Sequence, residues 1–215
     1  PSQFVQLLHD YGINNPDIHA SLSLCLGPCE VSVSEMVSAY TAFANHGIRT
    51  APMFVSRIED NEGNTIATFQ PRMNEVIGAE NAMKMLTMMM GVVDNGTAGR
   101  LRYRYKLEGQ IGAKTGTTNN NSDGWFIAFT PQLVSGCWVG GEERDIHFDS
   151  MNMGQGATMA LPIWAIFMKK VYADPSLGIR PDVKFDLPDG YDPCYKPKSD
   201  QDDFEQVDGI DEVFE

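Results

Sequence analysis

Apolar residues along the chain fall into alternating helical and strand-like patterns. Phe4, Val5, Leu7 and Leu8 recur at helical spacing over residues 2–10 and stop at Tyr11-Gly12. Asn14-Asn15-Pro16-Asp17 is turn material. Ser32-Val33-Ser34-Glu35 is a capping box. It predicts a helix with Met36, Tyr40 and Phe43 on one face, ended by Gly47. Phe54–Asp60 and Thr65–Phe69 flank Asn61-Glu62-Gly63-Asn64 and predict a hairpin. The spacing then predicts a helix over 79–94, in which Met83, Met85, Met88, Met89 and Met90 read as gap-filling core residues rather than as a metal or peptide site. Asn95-Gly96 ends it, and 96–99 form a tight turn. Trp125–Thr130 and Leu133–Gly140, joined by Pro131-Gln132, predict a second hairpin. A final helix, capped by Thr158 with Pro162 in its first turn, lays Ile163, Ile166, Phe167 and Val171 on the sheet.

Before that second hairpin comes Gly112-Ala113-Lys114-Thr115-Gly116-Thr117-Thr118, which reads as a strand. Period-two alternation puts the Thr115 and Thr117 hydroxyls on one face and Lys114 with Gly116 on the other. Gly116 lets a backbone or ligand lie against the strand. Hydroxyls, N–H groups and a nearby cation suit a substrate bearing a carboxylate and a carbonyl. A phosphate loop would need glycine where Glu108 and Ala113 stand, and a helix where the hairpin follows, so that reading fails. The competing reading is an edge strand whose lysine guards against aggregation.

Composition narrows the partners. The chain has 215 residues, a net charge of −13 and 42% hydrophobic residues, enough for one domain and a tail. The charge argues against nucleic acid. Arg100, Arg102, Arg104 and Lys106, interleaved with Tyr103 and Tyr105, read as a solvated or salt-bridged face rather than a polyanion site. Residues 1–172 read as a domain and 173–215 as an acidic tail, extended or disordered, with isolated aromatics. No stretch reaches the roughly 20 apolar residues of a membrane helix. Asp200-Gln201-Asp202 lacks the glycine of a calcium loop, since Glu205 stands there. Of the cysteines, Cys137 reads as a buried thiol, and Cys25 and Cys29 as unpaired thiols, with a small disulfide between them the alternative. His9, His19, His46 and His147 share no ligand-like spacing.

Lys114-Thr115-Gly116-Thr117, the Asn-rich residues 119–121 and Asp123-Gly124-Trp125-Phe126 resemble the third motif of penicillin-binding transpeptidases. Leu22–Leu26, the run from Glu30-Val31 to Asn45-His46-Gly47, Val92-Val93 to Gly96-Thr97-Ala98, and Val134–Gly141 and Met153–Pro162 resemble class A, bifunctional members over roughly residues 1–170. The resemblance implies the C-terminal part of an α+β penicillin-binding transpeptidase or β-lactamase-like fold, an antiparallel sheet flanked by helices. It implies serine acyl transfer from D-Ala-D-Ala stem peptides, β-lactam binding and no cofactor. Lys114, Thr115, Gly116 and Thr117 would bind substrate, with the Thr117 backbone N–H in the oxyanion hole and Lys114 supplying positive potential. No serine here has a lysine three residues later, so the nucleophile, and with it the second motif, is expected upstream, with the family's first two strands. An exposed sheet edge is the consequence. The implied setting is the periplasmic face of the cytoplasmic membrane through an upstream anchor, with a glycosyltransferase domain and other cell-wall synthesis proteins as partners. An inactive interaction module and a β-lactamase-like hydrolase are the alternatives.

Overall fold

The computed structural model describes residues 1–188 and Tyr191. In chain order the elements are α1 (Ser2–Asp10), a 3-10 turn (Leu22–Leu26), α2 (Val33–Ala44), β1 (Ile48–Thr50), β2 (Arg57–Glu59), β3 (Thr65–Thr68) and β4 (Met73–Glu75). Then come α3 (Ala79–Asp94), α4 (Arg100–Tyr103), β5 (Gly112–Thr117), β6 (Asp123–Phe129), β7 (Val134–Gly140), α5 (Met151–Gly154) and α6 (Gly156–Ala173).

The main sheet is antiparallel, in the order β5-β6-β7. Residues directly paired across strands share a face. Ala113, Phe126 and Ala128 therefore lie on one face, and they pack on Leu161, Trp164, Ala165 and Met168 of α6. The Phe126 and Trp164 rings meet edge-on at 5.5 Å, and the Trp164 indole N–H donates to Ser135 Oγ at 2.8 Å. The opposite face carries Phe129, fully buried against Tyr40 of α2, Leu86 and Met89 of α3, and Phe185. α3 lies beside β5 and contributes to both cores through Val93 on one side and Leu86 on the other.

Local chemistry explains the boundaries. The capping box forms as expected: Glu35 N–H donates to Ser32 Oγ at 3.1 Å, and Ser32 N–H to Glu35 Oε2 at 2.9 Å. α2 stops at Ala44, and Gly47, at φ 92°, returns its N–H to Ala42 O at 2.7 Å. The β2–β3 hairpin and the 79–94 helix also form as expected. The pairing of β1 with β4, Ile48 opposite Glu75, has no counterpart in the sequence reading, because neither three-residue strand shows apolar alternation.

Three expectations change, and one resolves between its alternatives. The final helix begins at Gly156, not with Thr158 as its cap. Thr158 sits inside the first turn and donates to Gln155 O at 2.9 Å, and Pro162 falls inside the helix, where it lacks the N–H an interior residue donates. The five helix methionines are not uniformly core: Met89 is buried, whereas Met88 is 57% exposed. Of the two readings of the basic stripe, the salt-bridged one holds at Arg102, and Arg100 bonds a backbone carbonyl instead of lying solvated. Because 100–103 form a helical turn, Arg102 pairs with Asp94 at 2.9 Å and Arg100 donates to Ala157 O at 3.3 Å. Cys137 is half-buried rather than fully buried, because it packs at the margin of the α6-side core, and burial pushes its thiol pKa up.

After α6 the chain runs back along the domain. Arg180 N–H donates to Gln132 Oε1 at 3.0 Å, Phe185 N–H donates to Gln110 Oε1 at 2.7 Å, and the Phe185 ring stands 5.9 Å from Phe129. Cys194, the 200–205 segment and most of the acidic tail lie outside the described residues. Among the described residues no helix is long and apolar enough to cross a membrane.

Candidate functional site

The geometry of β5 follows from its register. Residues of β5 and β6 pair at Lys114–Ile127, Gly116–Trp125 and Thr117–Gly124, and the ladder continues with Thr118 N–H donating to Asp123 O at 3.2 Å. In an antiparallel pair, residues alternate between turning both backbone groups to the partner and turning both away. Position 118 bonds to β6, so 116 and 114 do as well, and 113, 115 and 117 direct their N–H and C=O groups to the other edge. Among the described residues that edge is paired with no strand. Burial falls along it: Gly112 and Ala113 are buried, whereas Lys114 and Thr117 are exposed. The Thr117 N–H therefore turns to the unpaired edge of β5, at the strand's exposed end. By the same parity, β7 turns the backbone groups of Val134, Gly136, Trp138 and Gly140 to its free edge, the exposed sheet edge expected from the sequence.

Side chains from both faces of β5 reach its edge. Lys114 Nζ donates to the Thr115 carbonyl at 2.7 Å, an edge-facing acceptor. It makes no salt bridge among the described residues, so its charge is uncommitted. On the opposite face, the Thr115 hydroxyl lies 2.9 Å from that of Thr97, and Thr117 Oγ1 accepts the Gly156 N–H at 3.0 Å. Both hydroxyls are thus tethered. The sequence reading brought Lys114, Thr115, Gly116 and Thr117 together, and the structure places all four on one strand end. It missed Thr97 and Gly156. Thr97 stood in the Gly-Thr-Ala segment and Gly156 in the Gly-Gln-Gly run, but their spacing of 18 and 39 residues from their partners gives no local signal.

The turn after the motif is braced. Thr118 Oγ1 accepts the Asp123 N–H at 3.0 Å, and Asp123 Oδ1 accepts the Trp138 indole N–H at 3.0 Å. Asn121, at φ 55°, donates from its amide to Phe148 O at 3.2 Å, which ties the Asn-rich turn to the loop before α5. Elsewhere, Cys25 and Cys29 form no disulfide among the described residues. Burial, and then the Glu35 carboxylate, push the Cys29 thiol up. No cluster of three or more potential metal ligands occurs among the described residues.

Residues 9–136, more than half of the chain, match the model of the penicillin binding protein transpeptidase domain. The chain belongs to this family. Its relatives include penicillin-binding protein 1A of Aquifex aeolicus, 34% identical over 166 residues, and that of Neisseria meningitidis, 33% identical over 170. The matches cover 77% and 76% of this chain and 21% of each relative, so the chain spans about a fifth of their length. The fold is that of the penicillin-binding transpeptidases. The solved structure of penicillin-binding protein 1A from Haemophilus influenzae aligns with a TM-score of 0.74 at 24% identity, over 87% of this chain and 32% of that one. PonA1 from Mycobacterium tuberculosis in complex with penicillin V aligns with 0.69 at 22%, over 89% and 54%. The matched region ends within β7 and contains the Lys114–Thr117 strand.

Proposed function

We propose that this chain supplies the substrate-recognition edge of a serine D,D-transpeptidase that cross-links peptidoglycan stem peptides. One observation carries the reading: an edge strand that points the Thr117 N–H outward, beside two tethered hydroxyls and the uncommitted amine of Lys114.

In the proposed reaction, a serine on preceding polypeptide attacks the carbonyl of a terminal D-Ala-D-Ala. The carbonyl oxygen takes up negative charge as the tetrahedral centre forms, and the Thr117 N–H is one of the two donors that stabilise it. The loss of such a donor costs about 10²–10³ in rate. The peptide C–N bond then breaks, D-alanine leaves with a proton on its amine, and the acyl group stays as a serine ester. An amine of a neighbouring stem attacks that ester, forms the cross-link and returns the proton to the serine. Thr115 and Thr117 donate hydroxyl hydrogen bonds to the terminal carboxylate, and Lys114 adds the positive potential that favours it. Gly116 keeps the strand flat under the substrate. A β-lactam, which carries a carboxylate and a strained acyl carbonyl, acylates the same serine. The whole protein also carries a glycosyltransferase domain and works at the periplasmic face of the cytoplasmic membrane.

Fluorescent-penicillin labelling, read by intact mass, tests the reading on this chain and on the full-length protein. Labelling of the full-length protein alone is the expected result. No labelling of either means an inactive interaction module. Labelling of this chain by itself means the nucleophile lies within it. Rapid release of the label by hydrolysis means a β-lactamase-like hydrolase.

A further inference from the structure

The start of α6 is built against β5, and the contact constrains one of the proposed recognition hydroxyls. A helix leaves its first N–H groups without internal partners, and a cap side chain ordinarily accepts one of them. The residue in the cap position of α6 is Gln155, and its side chain makes no capping hydrogen bond. Thr117, 39 residues earlier in the chain, takes over that task by accepting the Gly156 N–H at 3.0 Å. The close approach depends on the missing side chain of Gly156. A Cβ there would collide with the carbonyl oxygens of Gly116 and Trp125, which belong to the β5–β6 ladder. Gly156 is buried, and Arg100 fastens the next residue of the helix from the other side through the Ala157 carbonyl.

A threonine hydroxyl has one proton to give. With one lone pair occupied by the Gly156 N–H, Thr117 Oγ1 has its proton left to donate, and the bond fixes where the oxygen sits. We infer that Gly156 is a positioning residue: its N–H holds the Thr117 hydroxyl as a hydrogen-bond donor for the carboxylate of stem peptides and β-lactams. The inference rests on the proposed transpeptidase reading and adds to it the group that orients the recognition hydroxyl. Thr115 is held differently, by a hydroxyl–hydroxyl contact with Thr97 in which either oxygen can donate. The two hydroxyls therefore differ: Thr117 has a defined direction and Thr115 an adjustable one.

The test compares Gly156→Ala with the unaltered full-length protein, using two probes: a penicillin with its free carboxylate and the methyl ester of the same penicillin. The acylation rate constant for the acid is expected to fall about 10- to 100-fold, the range for one hydrogen bond to a charged group. The rate for the ester, which presents no carboxylate charge, is expected to fall several-fold less than that for the acid: pressure of the new Cβ on the Gly116 carbonyl shifts the Gly116–Thr117 peptide and slows both probes, whereas only the acid also loses the charge-assisted bond. A parallel fall for both probes overturns the inference, since it means general damage to the site. No acylation of the unaltered protein by the acid overturns the transpeptidase reading itself, a separate outcome. A readout without activity covers the case in which Gly156→Ala does not fold. Amide hydrogen exchange at Gly156 is expected to be slow in the unaltered protein and in Thr117→Ser, and fast in Thr117→Val. Equal exchange in all three overturns the inference.

Discussion

Lys114 offers the sharpest separation of folding from recognition. Its side chain is exposed, its one hydrogen bond goes to the adjacent Thr115 carbonyl, and no carboxylate pairs with it among the described residues. Replacement by methionine keeps the length of the stem and removes the charge. Surface changes of this kind usually stay within about 0.5 kcal/mol of stability. The charge matters far more to a bound carboxylate. Two unit charges 4 Å apart interact by about 1 kcal/mol in bulk water and about 4 kcal/mol at an effective dielectric near 20, the value suited to a partly exposed site. A loss of about 5-fold to 10³-fold in acylation therefore separates a solvated amine from one working at a half-closed site. The assay is the second-order rate of fluorescent-penicillin acylation of the full-length protein, alongside urea unfolding of the same variants. Salt adds a check, because the screening length shrinks from about 30 Å at 0.01 M to about 3 Å at 1 M. The unaltered rate should fall with salt more steeply than that of Lys114→Met. An unchanged acylation rate with increased aggregation would refute the argument and leave Lys114 as a guard on an exposed strand edge.

Three further outcomes follow from the packing. Phe185→Ala should destabilise the chain by about 2–4 kcal/mol, combining the burial of a large ring with its edge-on contact to Phe129; urea unfolding measures the loss, and proteolysis within 174–188 should quicken with it. Burial raises the Glu35 carboxyl, but the backbone and hydroxyl bonds from Ser32 and the Asn14 N–H outweigh it and hold the pKa below its ordinary 4.5. A depressed carboxyl pKa stabilises the fold above 4.5, and that contribution is lost as pH falls through the folded-state value. Glu35→Gln should accordingly flatten the acid limb of stability, measured by unfolding across pH 3–6, and lower neutral stability by about 0.3–1 kcal/mol, because glutamine still closes the capping box and only the charge in the first turn is lost. Gly47→Ala, at φ 92° and with a Cβ that would strike the Ile77 carbonyl, should cost about 2 kcal/mol or more and loosen the β1–β4 pair, read by amide exchange at Val76.

The elements with local signatures were legible in the sequence. Ser32 and Glu35 mark the start of α2 because both partners of the capping box lie within four residues. β5, β6 and β7 show because aromatic and β-branched residues cluster between turn residues, and Lys114–Thr117 shows because its residue types carry chemistry on a strand. What stayed hidden depends on distant partners. β1 and β4 are strands only because they pair with each other across 25 residues. The cap of α6 was sought next to the helix, at Thr158, whereas the acceptor comes from β5. The Thr97–Thr115 contact had no signal beyond the Gly-Thr-Ala segment in which Thr97 stands. Phe185 stood out as an isolated aromatic in an extended segment able to dock locally, but its partner Phe129, 56 residues earlier, gave no signal.

A crystal structure of the full-length protein acylated by a penicillin tests the central claim most directly, because it locates the acyl carbonyl and the carboxylate relative to β5. The account predicts the acyl oxygen about 2.7–3.1 Å from the Thr117 backbone nitrogen. It also predicts the carboxylate within hydrogen-bond reach of the Thr115 and Thr117 hydroxyls. An adduct whose carbonyl oxygen and carboxylate both lie away from the β5 edge would contradict it.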